Sequence, residues 1–123
     1  MRKRRAIMWA SLFMLLVTAG ACGDDGSDPE GDAVARGEAL FASNCVACHG
    51  EQGTGTTAGP PLVHEIYEPG HHPDAAFVAA VELGVHAHHW DYGDMPAVQG
   101  LDRDAIAAIT AYVRALQRAN DIH

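Results

Sequence analysis

The residues best suited to chemistry are Cys45, Cys48 and His49, in the run Cys-Val-Ala-Cys-His. Two cysteines three positions apart, followed directly by a histidine, are typical of covalent c-type haem attachment. Each thiol can form a thioether with one haem vinyl group, and the adjacent imidazole can then ligate the iron. Two alternatives are a zinc site that adds a distant histidine and a thioredoxin-like dithiol. The dithiol requires a strand-helix context, and no segment before Cys45 resembles a buried strand.

The N-terminal segment has the pattern of an export signal. The cluster Arg2-Lys3-Arg4-Arg5 precedes an apolar run from Ala6 to Val17, and small residues follow at Ala19-Gly20-Ala21. The apolar run is shorter than the roughly 20 residues that a membrane-spanning helix needs. We therefore expect residues 1–21 to be a cleaved signal peptide. An uncleaved membrane anchor is the alternative.

The chain has three cysteines, and Cys22 is the one that the haem motif leaves over. Its position after the apolar run resembles the lipobox of bacterial lipoproteins, although Ala19 stands where leucine is usual. We expect Cys22 to carry lipid and to be the new N-terminus, because several acyl chains together anchor a protein stably. The alternative is cleavage nearby, with Cys22 free or removed.

Residues 22–31 contain almost no apolar side chain beyond Cys22, so we expect a disordered tether between anchor and domain.

Beyond residue 21 the chain has four basic residues against sixteen acidic ones, a formal net charge of −12 with histidine neutral. This charge disfavours nucleic acid and direct adhesion to an anionic membrane surface. It favours a redox partner protein with a basic docking face, although acidity can also serve solubility alone.

Residues 32–123 are expected to form one domain, too small for a self-sufficient core unless a buried haem completes it. Helical spacing of apolar residues predicts a first helix over about residues 32–45, with Asp32 as its N-cap. The segment from 50 to 73 is rich in Gly, Thr and Pro. A loop of this length is reasonable in a small domain if it wraps a cofactor.

Two further helices are predicted downstream. One spans about residues 74–83, with Asp74 as its cap and Gly84 at its end. The other spans about residues 102–119 with Asp102 as its cap. Their apolar sets are Phe77, Val78, Val81 and Leu83, and Ile106, Ile109, Val113 and Leu116. Two cations are placed near the negative C-terminal end of the last helix: Arg114 and Arg118.

Taken together, these features resemble the class I cytochrome c family over nearly all of residues 32–123. Gly37 and Phe41 match the glycine and aromatic residue of the family's first helix, and Ile109 and Tyr112 match its last helix. The resemblance implies that these four residues form the crossing contact between the terminal helices. It also implies an all-α cytochrome c fold of three to four helices wrapped around one covalently bound haem c.

Two loops extend the resemblance to the iron ligands. Gly59-Pro60-Pro61-Leu62 resembles the family's Gly-Pro-x-Leu, which implies that the Pro60 carbonyl accepts a hydrogen bond from His49. Gly93-Asp94-Met95-Pro96 resembles the family's methionine loop, which implies that Met95 is the second axial ligand. Met95 lies 46 residues after His49 and is the only methionine outside the expected signal peptide. His/Met ligation raises the reduction potential relative to two histidines.

The chain departs from the familiar pattern in its many histidines beyond His49, which between residues 64 and 89 are His64, His71, His72, His86, His88 and His89. The favoured interpretation is a set of surface side chains in loops. The alternatives are replacement of Met95 as iron ligand by His88 or His89, and a copper or zinc site, because imidazole suits both metals. Trp90 is expected to pack in the haem pocket, where its polar edge can reach a haem propionate.

The sequence therefore predicts a one-electron carrier on the periplasmic side of a bacterial cell envelope, lipid-anchored to a membrane. No nucleophile and base are paired in the sequence, so we expect electron transfer rather than enzymatic catalysis. One alternative is a dedicated electron-accepting subunit of a periplasmic oxidoreductase. Another is a haem protein whose histidine cluster handles copper or a similar metal.

Overall fold

The computed structural model describes residues 28–123, and within them four α-helices confirm the all-α class. The helices are Pro29–Asn44 (α1), Val46–His49 (α2), Asp74–Leu83 (α3) and Arg103–Ala119 (α4). Two single 3-10 turns, Glu51–Gly53 and Glu65–Tyr67, lie between α2 and α3. Among the described residues, none of the helices combines the length and the hydropathy needed to cross a membrane. The expected signal peptide, Cys22 and the first part of the tether lie outside the described residues.

The first helix begins earlier than predicted. Asp28, not Asp32, is the N-cap, and its side chain accepts a hydrogen bond from the Glu30 N–H at 3.1 Å. Pro29 then occupies the first helical position, where its missing N–H costs nothing and its fixed φ suits a helix. The first turn is exposed to solvent, so this start depends on capping rather than burial. Polar composition alone could not reveal it.

The crossing of α1 over α4 is the main packing contact of the fold. Gly37 lies so close to α4 that a Cβ atom there would be 1.9 Å from the Ala108 carbonyl oxygen. One turn further along α1, the ring of Phe41 packs against Tyr112 with 5.5 Å between centroids. Phe41, Tyr112 and Ile109 belong to one buried cluster, so the expected crossing contact is confirmed.

Helix α4 is capped as predicted, because the Asp102 side chain accepts a hydrogen bond from the Ala105 N–H at 2.7 Å. The expected placement of the two cations at its C-terminal end holds only for Arg118, which lies in the last turn and pairs with Glu30 at 3.1 Å. Arg114 is buried, with 7% of its surface exposed. Its guanidinium donates hydrogen bonds to carbonyls of the loop before α3 and not to the carbonyls at the end of α4.

Helix α3 has the predicted bounds, but two of its residues differ from expectation. Asp74 does not cap the helix; its carboxylate accepts a hydrogen bond from Arg114 at 2.8 Å instead. Leu83 was expected on the apolar face and is 79% exposed, whereas Val81 is buried. Residues two positions apart on a helix are separated by about 200° of rotation. A helix that buries Val81 therefore turns Leu83 towards solvent.

Candidate haem-binding cavity

An apolar cavity of about 390 Å³ lies in the concave side of the helical frame. Each of α1, α3 and α4 contributes apolar side chains to its wall, and the segments 60–72 and 84–95 complete it. The volume falls within the rough 300–1,000 Å³ range of small-molecule and cofactor sites. The lining includes Cys45, His49, Pro60, Trp90 and Met95, which are residues that the sequence analysis had selected.

His49 is buried in the cavity wall at the end of α2. Its Nδ1 lies 2.9 Å from the Pro60 carbonyl oxygen. A carbonyl oxygen only accepts, so Nδ1 carries the proton and donates, and Nε2 keeps its lone pair. The structure therefore contains the hydrogen bond that the resemblance implied, and it fixes the tautomer that a metal ligand needs.

The two cysteines of the motif differ in their surroundings. Cys45 is half-buried and lines the cavity, whereas Cys48 is exposed. Burial, and then the neighbouring thiol of Cys48, raise the pKa of the Cys45 thiol to about 11. Cys45 is thus a poor nucleophile in the folded chain, because the thiolate is the reactive form.

Met95 is held by the backbone of the segment that follows α3. Its N–H donates to the Val85 carbonyl and its carbonyl accepts from the Val85 N–H, each at 2.9 Å. Gly84 makes this pairing possible, because a Cβ atom there would lie 2.6 Å from the Met95 carbonyl oxygen. The half-buried Met95 side chain faces the same cavity as His49.

The turn between Val85 and Met95 is closed by Asp94. Its carboxylate accepts a hydrogen bond from the Ala87 N–H at 2.9 Å and contacts the His86 Nδ1 at the same distance. The hydrogen bond from Ala87, and then the one from His86, hold the pKa of Asp94 below its ordinary value. His86 is thereby directed away from the other histidines and towards solvent.

Trp90 lines the cavity, but its indole N–H has a partner within the chain. Nε1 donates to the Tyr67 hydroxyl oxygen at 3.1 Å. Burial raises the pKa of Tyr67, and this hydrogen bond opposes the rise. Since the Tyr67 oxygen accepts from Trp90, its own O–H proton remains free to donate. Tyr67 is thus a second polar group at the cavity wall that sequence reasoning did not select.

Arg114 and Gln117 are the other residues that sequence reasoning missed. Arg114 donates to the carbonyl oxygens of Tyr67, at 2.7 Å, and of His72. Gln117 donates to the carbonyl of Leu62 at 2.9 Å and accepts from Arg114 at 2.6 Å. Together they satisfy the backbone of the long loop that covers the cavity. The sequence does carry an indication, because Thr110, Arg114 and Gln117 recur at i, i+4 and i+7 beside the apolar stripe.

Four of the histidines that were expected to be surface side chains in loops lie next to one another: His71, His72, His88 and His89. The ring of His72 contacts those of His88 and His89, and the ring of His71 contacts that of His89, with centroid separations of 5.2 to 6.1 Å. His72 and His89 are half-buried. Desolvation, and then the charges of the three neighbours, lower the pKa of His89. His88 and His89 also line the cavity, so the alternative that one of them replaces Met95 stays open.

The residues around the cavity fit a covalently held haem. The wall is apolar, one imidazole presents a free Nε2 lone pair, and a thiol lies one helical turn before it.

Comparison with known proteins points to the same group. The family model described as Cytochrome c matches residues 34–117. The chain is also similar to the cbb3-type cytochrome c oxidase subunit FixP of Bradyrhizobium diazoefficiens, with 38% identity over 85 residues. That match covers 67% of this chain and 27% of the relative, so the chain spans about a quarter of that protein.

Proposed function

The chain belongs to the cytochrome c family and is a haem-based electron carrier, and on that premise we propose its ligand set. His49 and Met95 would ligate the iron of a single covalent haem c, and Cys45 and Cys48 would attach it to the chain. The sequence contains one Cys-x-x-Cys-His run, which supports one haem per chain. Trp90 and Pro60 complete the site as a packing residue and as the hydrogen-bond acceptor of His49.

One observation carries the proposal: His49 and Met95 line the same apolar cavity, and each is fixed by a separate hydrogen-bonding arrangement. His49 is oriented through Pro60 at 2.9 Å, and Met95 through its backbone pairing with Val85. Two ligands held by the fold in both oxidation states keep the reorganisation on electron transfer small. The apolar wall excludes water from the iron and so influences its potential.

When bound, the haem supplies reversible one-electron chemistry at iron, and the thioether of Met95 favours the ferrous state. We expect electron transfer, and not catalysis of a group transfer, to be the activity of this chain. The redox partner is expected to present a basic docking face, because the chain beyond residue 21 carries sixteen acidic and four basic residues. Complementary charge speeds encounter, and added salt should slow it.

The decisive experiment replaces Met95 with leucine, which keeps an apolar side chain of similar size in the cavity. The oxidised parent should show the weak near-infrared absorption of an iron(III)–thioether bond. Met95→Leu should abolish that absorption, lower the potential and open the ferrous iron to carbon monoxide. His88→Ala is the matched control and should leave all three properties unchanged. If Met95→Leu has no effect and His88→Ala or His89→Ala does, a histidine is the ligand.

Covalent attachment has a separate test. Protein matured in a periplasm should keep its haem peroxidase stain on a denaturing gel, and the double change Cys45→Ala with Cys48→Ala should remove the stain. Haem that acid–acetone extracts from the unmutated protein would contradict attachment through these cysteines.

A second candidate function is that of an electron-accepting subunit in a larger oxidoreductase. The observation that favours it is the similarity to a subunit of a cbb3-type oxidase. Purification from native membranes in mild detergent distinguishes the two. A freely exchanging carrier should separate from larger complexes as salt is raised. A subunit should remain bound in a fixed ratio to its enzyme.

We also propose that residues 1–21 are a lipoprotein signal peptide and that the lipidated Cys22 holds the domain at the periplasmic face of the envelope. Because α1 begins at Pro29, the proposed tether is shorter than the predicted stretch 22–31. Mass spectrometry of the native N-terminus should find acyl chains on Cys22. A Cys22→Ser form that is still exported should be released from the membrane. If that form stays membrane-bound, an uncleaved N-terminal helix is the better account.

A further inference from the structure

The histidine cluster takes no part in the proposed haem ligation. We propose that His71, His72 and His89 bind a divalent transition-metal cation beside the haem cavity, with Cu²⁺ preferred over Zn²⁺. One ring nitrogen from each of these three residues lies within 4.8 Å of the other two. Three imidazoles and one open position form a donor set suited to either ion, and general affinity order places Cu²⁺ above Zn²⁺.

The geometry needs only a small contraction to close around a metal. Imidazole nitrogens bound to a tetrahedral ion at about 2.0–2.1 Å lie about 3.3 Å from each other. The present separations therefore shorten by at most about 1.5 Å. His71 is exposed and His89 half-buried, so rotation of these two rings can supply the movement while the backbone stays in place.

His72 is the prepared member of the set. Its Nδ1 donates to the Ile66 carbonyl oxygen at 2.7 Å, which leaves Nε2 with the lone pair. A histidine ligand whose other nitrogen donates to a carbonyl is the usual arrangement at metal sites. The backbone is fixed as well, because the His72 N–H donates to the Glu68 carbonyl at 2.8 Å and its own carbonyl accepts from Arg114.

The surroundings favour a cation over a purely structural ring stack. His71 and His89 line a shallow groove together with Glu65 and Glu68. These two carboxylates add negative potential beside the imidazoles, which favours cations. The groove opens to solvent, so water can take the fourth position. His88 is not one of the three proposed ligands. Its ring contacts those of His72 and His89, and its Nδ1 donates to the His86 carbonyl at 2.7 Å.

The site is placed to influence the haem. His72 and His89 belong to the wall of the haem cavity as well as to the cluster. A dication bound there adds positive charge beside the proposed haem, which favours the reduced iron. Metal binding should therefore raise the haem potential. This readout rests on the proposed function, whereas metal binding itself can be measured without it.

The test is calorimetric titration of untagged, oxidised holoprotein with Zn²⁺ and with Cu²⁺. The oxidised state is used so that ferrous haem does not reduce the copper. We expect one equivalent of each ion at submicromolar dissociation constant, with Cu²⁺ displacing Zn²⁺. His89→Ala and His71→Ala should each weaken binding at least tenfold and remove the metal-induced rise in potential. His123→Ala, which removes an exposed histidine at the C-terminus, is the matched control and should bind as the parent does.

Several results would overturn the site. One is absence of submicromolar binding by protein with a normal haem spectrum, which leaves the proposed function intact. A second is binding that survives His89→Ala and His71→Ala, or that His123→Ala weakens equally. A third is a His89→Ala protein that loses its haem ligation spectrum and retains its metal affinity, because His89 would then be an iron ligand. The His71→Ala variant controls for a folding defect, since His71 is exposed and lies outside the buried core.

Discussion

At the crossing of α1 over α4, Gly37 leaves no room for a methyl group against the Ala108 carbonyl. In the loops that cover the cavity, residues 60–72 and 84–95, the chain is instead held by hydrogen bonds from side chains to backbone and to other side chains. Arg114 and Gln117 both join α4 to the carbonyl of Tyr67, and Arg114 also joins it to that of His72. The first region is held by close packing between regular helices, and the second by a few side chains that satisfy irregular backbone.

This difference separates stability from chemistry. The crossing brings Phe41, Ile109 and Tyr112 into one dry cluster, where any change of volume must shift a helix. The loops carry Met95 and the clustered histidines, whose side chains are only partly buried. Loop residues of this kind can change with little effect on the fold, provided that the anchoring bonds remain. We expect substitutions in the two regions to differ accordingly.

The largest effect is expected for Gly37→Ala. A Cβ atom at this position would lie 1.9 Å from a backbone oxygen and 2.9 Å from the Tyr112 Cβ, so the helices must separate. We expect a loss of about 3 kcal/mol or more in the free energy of unfolding, at the upper end for overpacking. Denaturant titration of the holoprotein, monitored by circular dichroism, measures this loss in the free energy of unfolding.

Gly31→Ala is the matched control on the same helix. Its nearest neighbour would be the movable Asp28 carboxylate at 3.1 Å, and alanine is the better helix former. The change in stability should stay below about 1 kcal/mol. Equal losses for the two variants would mean that the crossing is not the tight contact described.

The next effect is expected in the loop region, for Arg114→Met. The change keeps a long apolar stem but removes the donors that serve Tyr67, His72 and Asp74. The His72 carbonyl loses this donor and the Tyr67 carbonyl keeps only Gln117 at 3.2 Å, which together should cost about 2–3 kcal/mol. Arg103→Met is the control, because Arg103 pairs with Glu82 at the surface and should contribute at most about 1 kcal/mol. If both changes cost the same, Arg114 does not anchor the loop.

A smaller effect is expected at the start of α4, for Asp102→Ala. The carboxylate accepts from the Ala105 N–H at 2.7 Å, and loss of an N-cap typically costs about 1 kcal/mol. Asp104→Ala is the control, since Asp104 lies in the first turn without that capping bond. Thermal unfolding should show a clear decrease for Asp102→Ala only. A comparable decrease in Asp104→Ala would assign the effect to charge at the helix terminus and not to the cap.

The same contrast explains what the sequence could predict. The bounds of α3 follow from its apolar residues and from Gly84 at its end, which the sequence displays directly. The crossing contact was implied by the resemblance to the cytochrome c family. The start of α1 differed because a local Asp28–Pro29 cap outweighed the polar composition around it. Arg114 could not be assigned correctly, because its partners lie 40 to 47 positions away along the chain.

The candidate site divides in the same way. Cys45, Cys48 and His49 form a local motif, so their interpretation needed no tertiary information. Convergence of the histidines did need it, because the two pairs meet only when the long loop and the Met95 segment fold over one cavity. Tyr67 remained unnoticed for this reason too: its importance comes from Trp90, which is 23 residues away.

The smallest effect tests whether the polar bond at the cavity wall holds the two loops together. Trp90→Phe and Tyr67→Phe each keep an aromatic ring but remove one partner of the 3.1 Å hydrogen bond. A double-mutant cycle isolates the free energy of this hydrogen bond, because the bond can be lost only once. When the first change has already removed the bond, the second change removes none of its free energy. We expect a coupling of about 0.5–1.5 kcal/mol in the free energy of unfolding.

The control cycle pairs Trp90→Phe with Tyr92→Phe. The centroids of the Trp90 and Tyr92 rings lie 6.3 Å apart, and this pair does not form the hydrogen bond tested. Its coupling should stay below about 0.5 kcal/mol. If the two cycles give the same coupling, ring packing joins the loops as it joins the helices, and the contrast between the two regions fails at this point.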